Sequence, residues 1–251
     1  MSWESGYPAA ALLGLLVGAL SGWWCPQLIA RIPEPEPEPV DEEPGETDVR
    51  STLPPPPPKE TYVHIAGLPG LAQRTAAASA LVGGVLGASV GWSWSLLFLL
   101  PLAPIGVALT VIDWRTTLLP TRLIAPTYAV TLVGVALAAV AEGDLDVALH
   151  ALIGWAVMGG IFFVLWFIYP RGLGYGDVRL SGILGLALGA LGWGELATGI
   201  YGAFLLGGVG GALLSLLRIV NRKRFPFGPF MLVAAVLAVA VGPWVADRFG
   251  Y

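Results

Sequence analysis

Eight apolar stretches separated by short polar segments constrain this chain more than any other feature of its sequence. They lie near residues 8–31, 74–92, 94–112, 122–141, 149–169, 179–193, 196–218 and 230–246. An α-helix needs about 20 apolar residues to cross the hydrocarbon core of a bilayer. Charged residues make up only 12% of the chain, against roughly 25% in a soluble domain. The sequence therefore predicts an all-α, polytopic membrane helical bundle with about eight transmembrane helices.

The distribution of charge predicts the orientation of these helices. With eight spans and the N-terminus outside, every Lys and Arg except Arg248 falls on the inner side, where cytoplasmic loops collect basic residues. The outer segments hold acids instead, such as Glu142 and Asp247. A secretory signal has basic residues before its apolar stretch, and none precedes the first apolar stretch of this chain. We therefore expect the first helix to stay in the mature protein.

A polar insert rich in proline and glutamate separates the first and second spans. It runs from PEPEPEP through VDEEPGETDVR to PPPPPK, and such a composition extends the chain and cannot bury a core. We divide the chain into a first transmembrane helix (1–32), a disordered cytoplasmic loop (33–73) and a membrane core with the remaining helices (74–251). The insert is interpreted as a solvated linker, and a docking segment for a basic or proline-binding partner is the alternative.

Two aspartates differ from the other acids, most of which lie in the insert or in outer loops. Asp113 ends the third span, in VIDWRTTLLP, and Asp177 opens the sixth, in GLGYGDVRL. The third span runs from outside to inside and the sixth runs back, so both aspartates are predicted at the inner face. Ionisable residues in membrane segments usually face the bundle interior and mark functional sites.

Two carboxylates close together in a poorly solvated site share a proton. One of them then activates water while the other polarises a carbonyl, as in aspartic proteases. This chemistry needs no metal and no organic cofactor, and neither is expected here. A purely structural role is the alternative, in which each aspartate caps a helix or pairs with Arg115 or Arg179. Two further functions stay open: a proton-coupled transporter that uses Asp113 and Asp177 as a relay, and a non-enzymatic scaffold.

Glycine has two interpretations in this sequence. Gly174 and Gly176 bracket Tyr175 directly before Asp177, and without a Cβ they allow another backbone to approach closely. These three residues are therefore predicted to shape a site for an extended peptide. Elsewhere glycine recurs every four residues, which predicts close helix packing, as at Gly14, Gly18 and Gly22, at Gly83 and Gly87, and at Gly185 and Gly189.

Four separated elements resemble the type IV prepilin peptidases, membrane aspartic proteases of the GxGD class. GLGYGDVRL is similar to their glycine-x-glycine-aspartate motif with its basic residue and leucine. Ile112-Asp113 followed by Leu119-Pro120 matches their first-aspartate segment, and PFGPF at 226–230 matches the element that opens their last helix. GLLVGAL followed by Arg31-Ile32-Pro33 resembles their first helix and its exit.

The resemblance implies that Asp113 and Asp177 are a catalytic pair. It implies a peptidase core, a location in the bacterial plasma membrane and an active site that faces the cytoplasm. The implied substrates and partners are prepilins or pseudopilins in the bilayer, whose short basic leader is cut at the cytoplasmic face. Independently of the resemblance, the sequence has no basic stripe with interleaved aromatic residues, so no nucleic-acid partner is expected. The other residues predicted to shape the site are Arg179, Leu119, Pro120, Pro226, Gly228 and Pro229.

The sequence also departs from the family pattern. Thr121 stands where the family often has an acid, and Arg179 stands where lysine is common. The first cytoplasmic loop has no cysteine, whereas many members carry paired CxxC motifs there and also methylate the new N-terminus with S-adenosylmethionine. We therefore expect peptidase activity without methyl transfer and without a cofactor.

Overall fold

The computed structural model describes residues 6–34, 60–170, 172–217 and 226–250, and within these ranges it contains α-helices and no strand. In chain order the helices are α1 (Gly6–Trp23), α2 (Cys25–Ala30), α3 (Tyr62–Ala66), α4 (Leu71–Val90), α5 (Leu96–Thr116), α6 (Thr121–Glu142), α7 (Asp146–Ile168), α8 (Tyr175–Leu191), α9 (Trp193–Leu216) and α10 (Gly228–Phe249). The predicted all-α class is confirmed for this part of the chain.

Four of the described helices are long and apolar enough to cross a membrane, namely α5, α6, α7 and α10. A shorter apolar helix covers Tyr7–Trp23. These helices are consistent with a helical membrane protein. The count of eight spans and the external N-terminus stay predictions.

The first predicted span is divided into two helices. The chain leaves α1 at Trp23, and α2 starts at Cys25 with a proline in its first turn, where the missing N–H of proline is tolerated. Beyond α2, residues 35–59 of the predicted disordered loop lie outside the described residues. The end of that loop contains α3 and the first residues of α4.

The central helix of the bundle is α8. Every residue from Leu180 to Gly189 is buried, so this helix is enclosed by its neighbours along most of its length. Against α7 the packing is too close for side chains, because a Cβ at Gly154 or Gly185 would overlap the backbone of the other helix. The same holds between α1 and α4, where Gly14 lies against Gly83. The packing interpretation of these glycines is confirmed.

The helix termini that contain the predicted site residues lie together at one end of the bundle. The end of α5 and the starts of α6 and α8 border the same cavity, and the start of α10 contacts Asp113 there through Gly228. Antiparallel neighbours in a helical bundle place such termini together when the connections are short. The two aspartates predicted at one membrane depth therefore lie at one end of the fold.

Candidate active site

Asp113 lies in the last turn of α5, and its side chain is only 4% exposed. The helix ends three residues later, because Thr117 adopts the left-handed conformation (φ 54°) and donates its N–H to the Asp113 carbonyl at 2.8 Å. The chain then turns through Leu119 to Pro120, which directly precedes α6 and makes no side-chain cap hydrogen bond. This turn explains the TTLLP stretch between two apolar helices.

The Asp113 carboxylate is held from α10. The Gly228 N–H donates to its Oδ2 at 3.0 Å, so the PFGPF element supports the first aspartate directly. A Cβ at Gly228 would lie 2.8 Å from the same oxygen, closer than side chains tolerate. Pro226 and Pro229, which flank this contact, are both buried.

Asp177 is the third residue of α8, and its side chain is 8% exposed. Its Oδ2 accepts the N–H of Gly174 at 3.1 Å, while its own N–H donates to the Gly174 carbonyl at 3.0 Å. An acid at this position satisfies a backbone donor that the helix leaves unpaired. The capping role considered for Asp177 is therefore present, and it fixes the position of the carboxylate.

Both aspartates line one cavity of about 570 Å³, which we call the aspartate cavity. The wall also includes the predicted residues Gly174, Tyr175, Gly176, Arg179, Leu119 and Pro120. Pro226, Gly228 and Pro229 do not line it, and among them Gly228 acts through its contact with Asp113.

Leu119 packs between Gly176, which precedes Asp177, and Gly228, which donates to Asp113. A Cβ placed on Gly176 would lie 2.8 Å from the Leu119 Cβ, and one placed on Gly228 would lie 3.4 Å from its Cδ1. The glycine before Asp177 and the glycine that holds Asp113 therefore both make room for the same buried leucine. This contact links the starts of α8 and α10 across the α5–α6 turn.

Neither aspartate forms an ion pair within the described ranges. Arg115 instead pairs with Glu60, through contacts of 2.7 and 2.9 Å. Arg179 donates to the Thr121 hydroxyl, and its guanidinium lies 5.1 Å from the ring centroid of Tyr175, a cation–π arrangement. The two positions that depart from the family pattern, 121 and 179, thus contact each other and tie α6 to α8.

Sequence reasoning missed one wall of the cavity, which is formed by Ile32, Pro33, Glu34 and Tyr62. Glu34 Oε1 accepts the N–H groups of Tyr62 at 2.6 Å and Val63 at 3.3 Å, which caps α3. Burial raises the pKa of the Tyr62 phenol, and the Glu34 charge raises it further. A weak signal existed, since Thr61 precedes apolar residues three apart, as at a helix start.

In the part of the chain that the structure describes, no group of three His, Cys, Asp or Glu side chains could hold a metal ion. The chemically distinctive arrangement is the carboxylate pair. Each carboxylate has one oxygen engaged by a backbone N–H, and both carboxylates border the aspartate cavity. Such a pair is suited to moving a proton between a water and a carbonyl group.

Comparisons with known proteins indicate the family to which this chain belongs. The type IV leader peptidase family matches residues 100–242. The chain is 33% identical over 175 residues to the prepilin leader peptidase/N-methyltransferase of Aeromonas salmonicida (strain A449), covering 65% of this chain and 56% of that protein. It is 32% identical over 142 residues to the protein of the same name from Escherichia coli (strain K12), covering 56% and 61%.

A third relative, from Pseudomonas aeruginosa, has the same name and is 29% identical over 176 residues, with 68% and 59% covered. The matched part thus spans less than two thirds of the length of each of these relatives. No solved structure matches the chain significantly. The family match includes both aspartates and Gly228 and extends over more than half of the sequence. This chain belongs to the type IV leader peptidase family.

Proposed function

We propose that this protein is an aspartic endopeptidase that removes the short basic leader from prepilins or pilin-like proteins. The observation that carries the proposal is the aspartate pair, because two buried acids from distant segments share one cavity. Each acid is held by a backbone N–H, which fixes a carboxylate without neutralising its charge. The names of the relatives support prepilins as the substrate class.

In the proposed mechanism Asp113 and Asp177 exchange the roles of general acid and general base. The ionised aspartate takes a proton from water, whose oxygen attacks the carbonyl carbon of the scissile peptide. The protonated aspartate gives its proton to the carbonyl oxygen, which yields a tetrahedral diol. The proton taken from water then passes to the amide nitrogen, and the carbon–nitrogen bond breaks. A diol oxygen returns a proton to the aspartate that had protonated the carbonyl oxygen.

We place cleavage at the cytoplasmic face of the bacterial plasma membrane. The aspartate cavity lies at the end of the bundle that bears Arg115, Arg122 and Arg179, and basic residues accumulate on the cytoplasmic side. A relay for proton-coupled transport is the competing function. Transport sites favour the bilayer midplane, whereas this cavity lies at helix ends.

The decisive experiment is co-expression with a prepilin from the same genome, followed by gel analysis of leader removal. We expect Asp113→Asn and Asp177→Asn to abolish processing, because each removes a carboxylate from the pair. Asp247→Asn changes an exposed acid at the far end of α10 and serves as the matched control. Normal processing by both active-site variants would refute the proposal and leave the transporter or scaffold functions.

Methyl transfer is a separate question, because the relatives are named for both activities. We propose that this chain is a peptidase alone, since its insert has no cysteine. Mass spectrometry of the N-terminal peptide of the processed substrate is expected to find an unmodified α-amine. A methyl group added there by the purified enzyme with S-adenosylmethionine would contradict this part of the proposal.

A further inference from the structure

An apolar groove of about 660 Å³ runs along the side of the bundle between α4, α5 and α10. Its lining extends from Leu71 to Val85 on α4 and from Leu102 to Arg115 on α5. At 1.5 Å per residue each stretch is about 20 Å long, or roughly two thirds of the hydrocarbon thickness of a bilayer. The groove is therefore long enough to hold several turns of a helix.

The shape of the groove suits a helix as well as its length does. Small residues form its base, and larger exposed residues form its edges. The base contains Ala78, Ala103 and Gly106, and the edges contain Leu81, Val233 and Leu237. Small residues at a membrane interface let two helix backbones approach closely. The lining therefore resembles one face of a helix–helix contact that has no partner within the described chain.

Consecutive residues in the last turn of α5 line the aspartate cavity and the groove. Asp113 lines the cavity, while the next two residues, Trp114 and Arg115, line the groove. A second link runs through α10, since Gly228 holds Asp113 and Leu232, one turn later, lines the groove. The near end of the groove is thus about one helix diameter, roughly 10 Å, from the aspartate pair.

We propose that this groove binds the apolar helix of the substrate on the C-terminal side of the cut. The inference rests on the proposed function. A single-helix substrate that is cut at the membrane face must bring its peptide bond to Asp113 and Asp177 while its helix stays in the bilayer. The groove starts beside the pair and continues into the bilayer, so the leader lies in the cavity and the helix in the groove.

A phospholipid and a second copy of this chain are the competing occupants. An anionic headgroup would need the arginines at the near end of the groove. Of these, Arg115 is already paired through both guanidinium contacts with Glu60, which leaves Arg74 as the groove's other basic residue. The charge of the groove therefore favours an apolar helix over an anionic lipid.

The first test fills the groove from α4. Ala78→Phe places a ring in it, whereas Ala77→Phe places the same ring on the exposed face of α4 outside the groove. With a full-length prepilin, we expect Ala78→Phe to raise KM by about tenfold, equivalent to about 1.4 kcal/mol, and Ala77→Phe to leave it unchanged. A short peptide that spans the cut but lacks the apolar helix should be cleaved equally by both variants and the wild type.

Equal KM values for the full-length substrate in both variants would overturn the proposal, and so would an equal loss of activity on both substrates. The second pattern would identify a structural or lipid site. If the wild type cleaves neither substrate, the proposed function itself fails.

The second test does not depend on activity or on the folding of Ala78→Phe. A photo-reactive p-benzoyl-phenylalanine at Val107, in the groove lining of α5, is irradiated in membranes that contain the prepilin. We expect an adduct that maps to the apolar helix of the substrate. Adducts only to phospholipid, or only to a second copy of this chain, would overturn the proposal.

Discussion

Replacing Gly228 with alanine tests how Asp113 is held in place. The Gly228 N–H reaches Oδ2 of Asp113 at 3.0 Å, and an added Cβ would lie 2.8 Å from that same oxygen. Real Cβ atoms essentially never approach another atom this closely, so the carboxylate or the start of α10 must move by several tenths of an ångström. The side chain of Asp113 would then lose alignment with its backbone donor and with Asp177.

The size of the effect follows from the hydrogen bond that is strained. A hydrogen bond to a charged group is worth about 1.5–3 kcal/mol, and each 1.36 kcal/mol corresponds to tenfold in rate. We therefore expect Gly228→Ala to lower kcat/KM by about 10- to 100-fold. This loss is smaller than the complete loss of activity expected for Asp113→Asn. The assay is cleavage of a purified prepilin in detergent or in liposomes.

Gly160→Ala is the matched control, since Gly160 lies in α7 with no heavy atom within 4 Å of an added Cβ. Its kcat/KM should equal that of the wild type. Thermal unfolding of both variants separates a local effect from a loss of fold. Wild-type kcat/KM in a folded Gly228→Ala protein would refute the role assigned to this contact.

Three further predictions concern the cavity wall. Glu34→Gln keeps an oxygen acceptor for the start of α3 but removes a charge, so we expect KM for a substrate with a basic leader to rise about two- to fivefold, as for a partly exposed ion pair. The KM for a substrate with a neutral leader should not change. An equal change in KM for both substrates in steady-state kinetics would contradict this prediction. Thr121→Val removes the hydroxyl that accepts a hydrogen bond from Arg179, so kcat/KM should fall by up to about tenfold. Thr121→Ser keeps the hydroxyl and should retain activity. Identical kcat/KM values for the two variants would show that this hydrogen bond does not contribute to activity. Because the pKa of Tyr62 is raised above its ordinary value of 10.0, the unfolded chain ionises first and wild-type stability falls as the pH rises through that value. Tyr62→Phe should lack this part of the alkaline loss, and identical thermal unfolding curves at every pH would show the expectation to be wrong.

The pairing of the two aspartates was accessible from sequence because it depends on helix direction alone. Successive membrane helices alternate in direction, so the end of one span and the start of another three spans later fall on the same side. This argument places Asp113 and Asp177 at one end of the bundle, where the structure has them in one cavity. The all-helical class follows equally from the length and apolarity of the stretches.

The groups that hold the aspartates were not accessible in the same way. Their donors are the backbone N–H groups of Gly228 and Gly174, and every residue except proline carries such a donor. Residue type therefore identifies the glycines as small but not as hydrogen-bond partners. Only the path of the chain at the starts of α8 and α10 brings these donors to the carboxylates.

The wall that contains Glu34 and Tyr62 was missed for a different reason. Composition averaged over residues 33–73 is dominated by proline and acids, and this average conceals the single turn of α3. The contact between Thr121 and Arg179 could not be predicted from the sequence either, although both positions depart from the family pattern. It depends on how the start of α6 lies against α8, which no local pattern encodes.

The capping of α3 by Glu34 has a consequence for protein engineering. Because Oε1 of Glu34 lies 2.6 Å from the Tyr62 nitrogen, the insert between residues 34 and 60 leaves the fold and returns to it at nearly the same place. Changing the length of a segment with fixed ends costs little, about 0.6 kcal/mol for each doubling. Because the composition of the insert predicts a solvated linker, we expect it to accept a fluorescent label without loss of the fold, and we expect that label to report the arrival of substrate at the aspartate cavity.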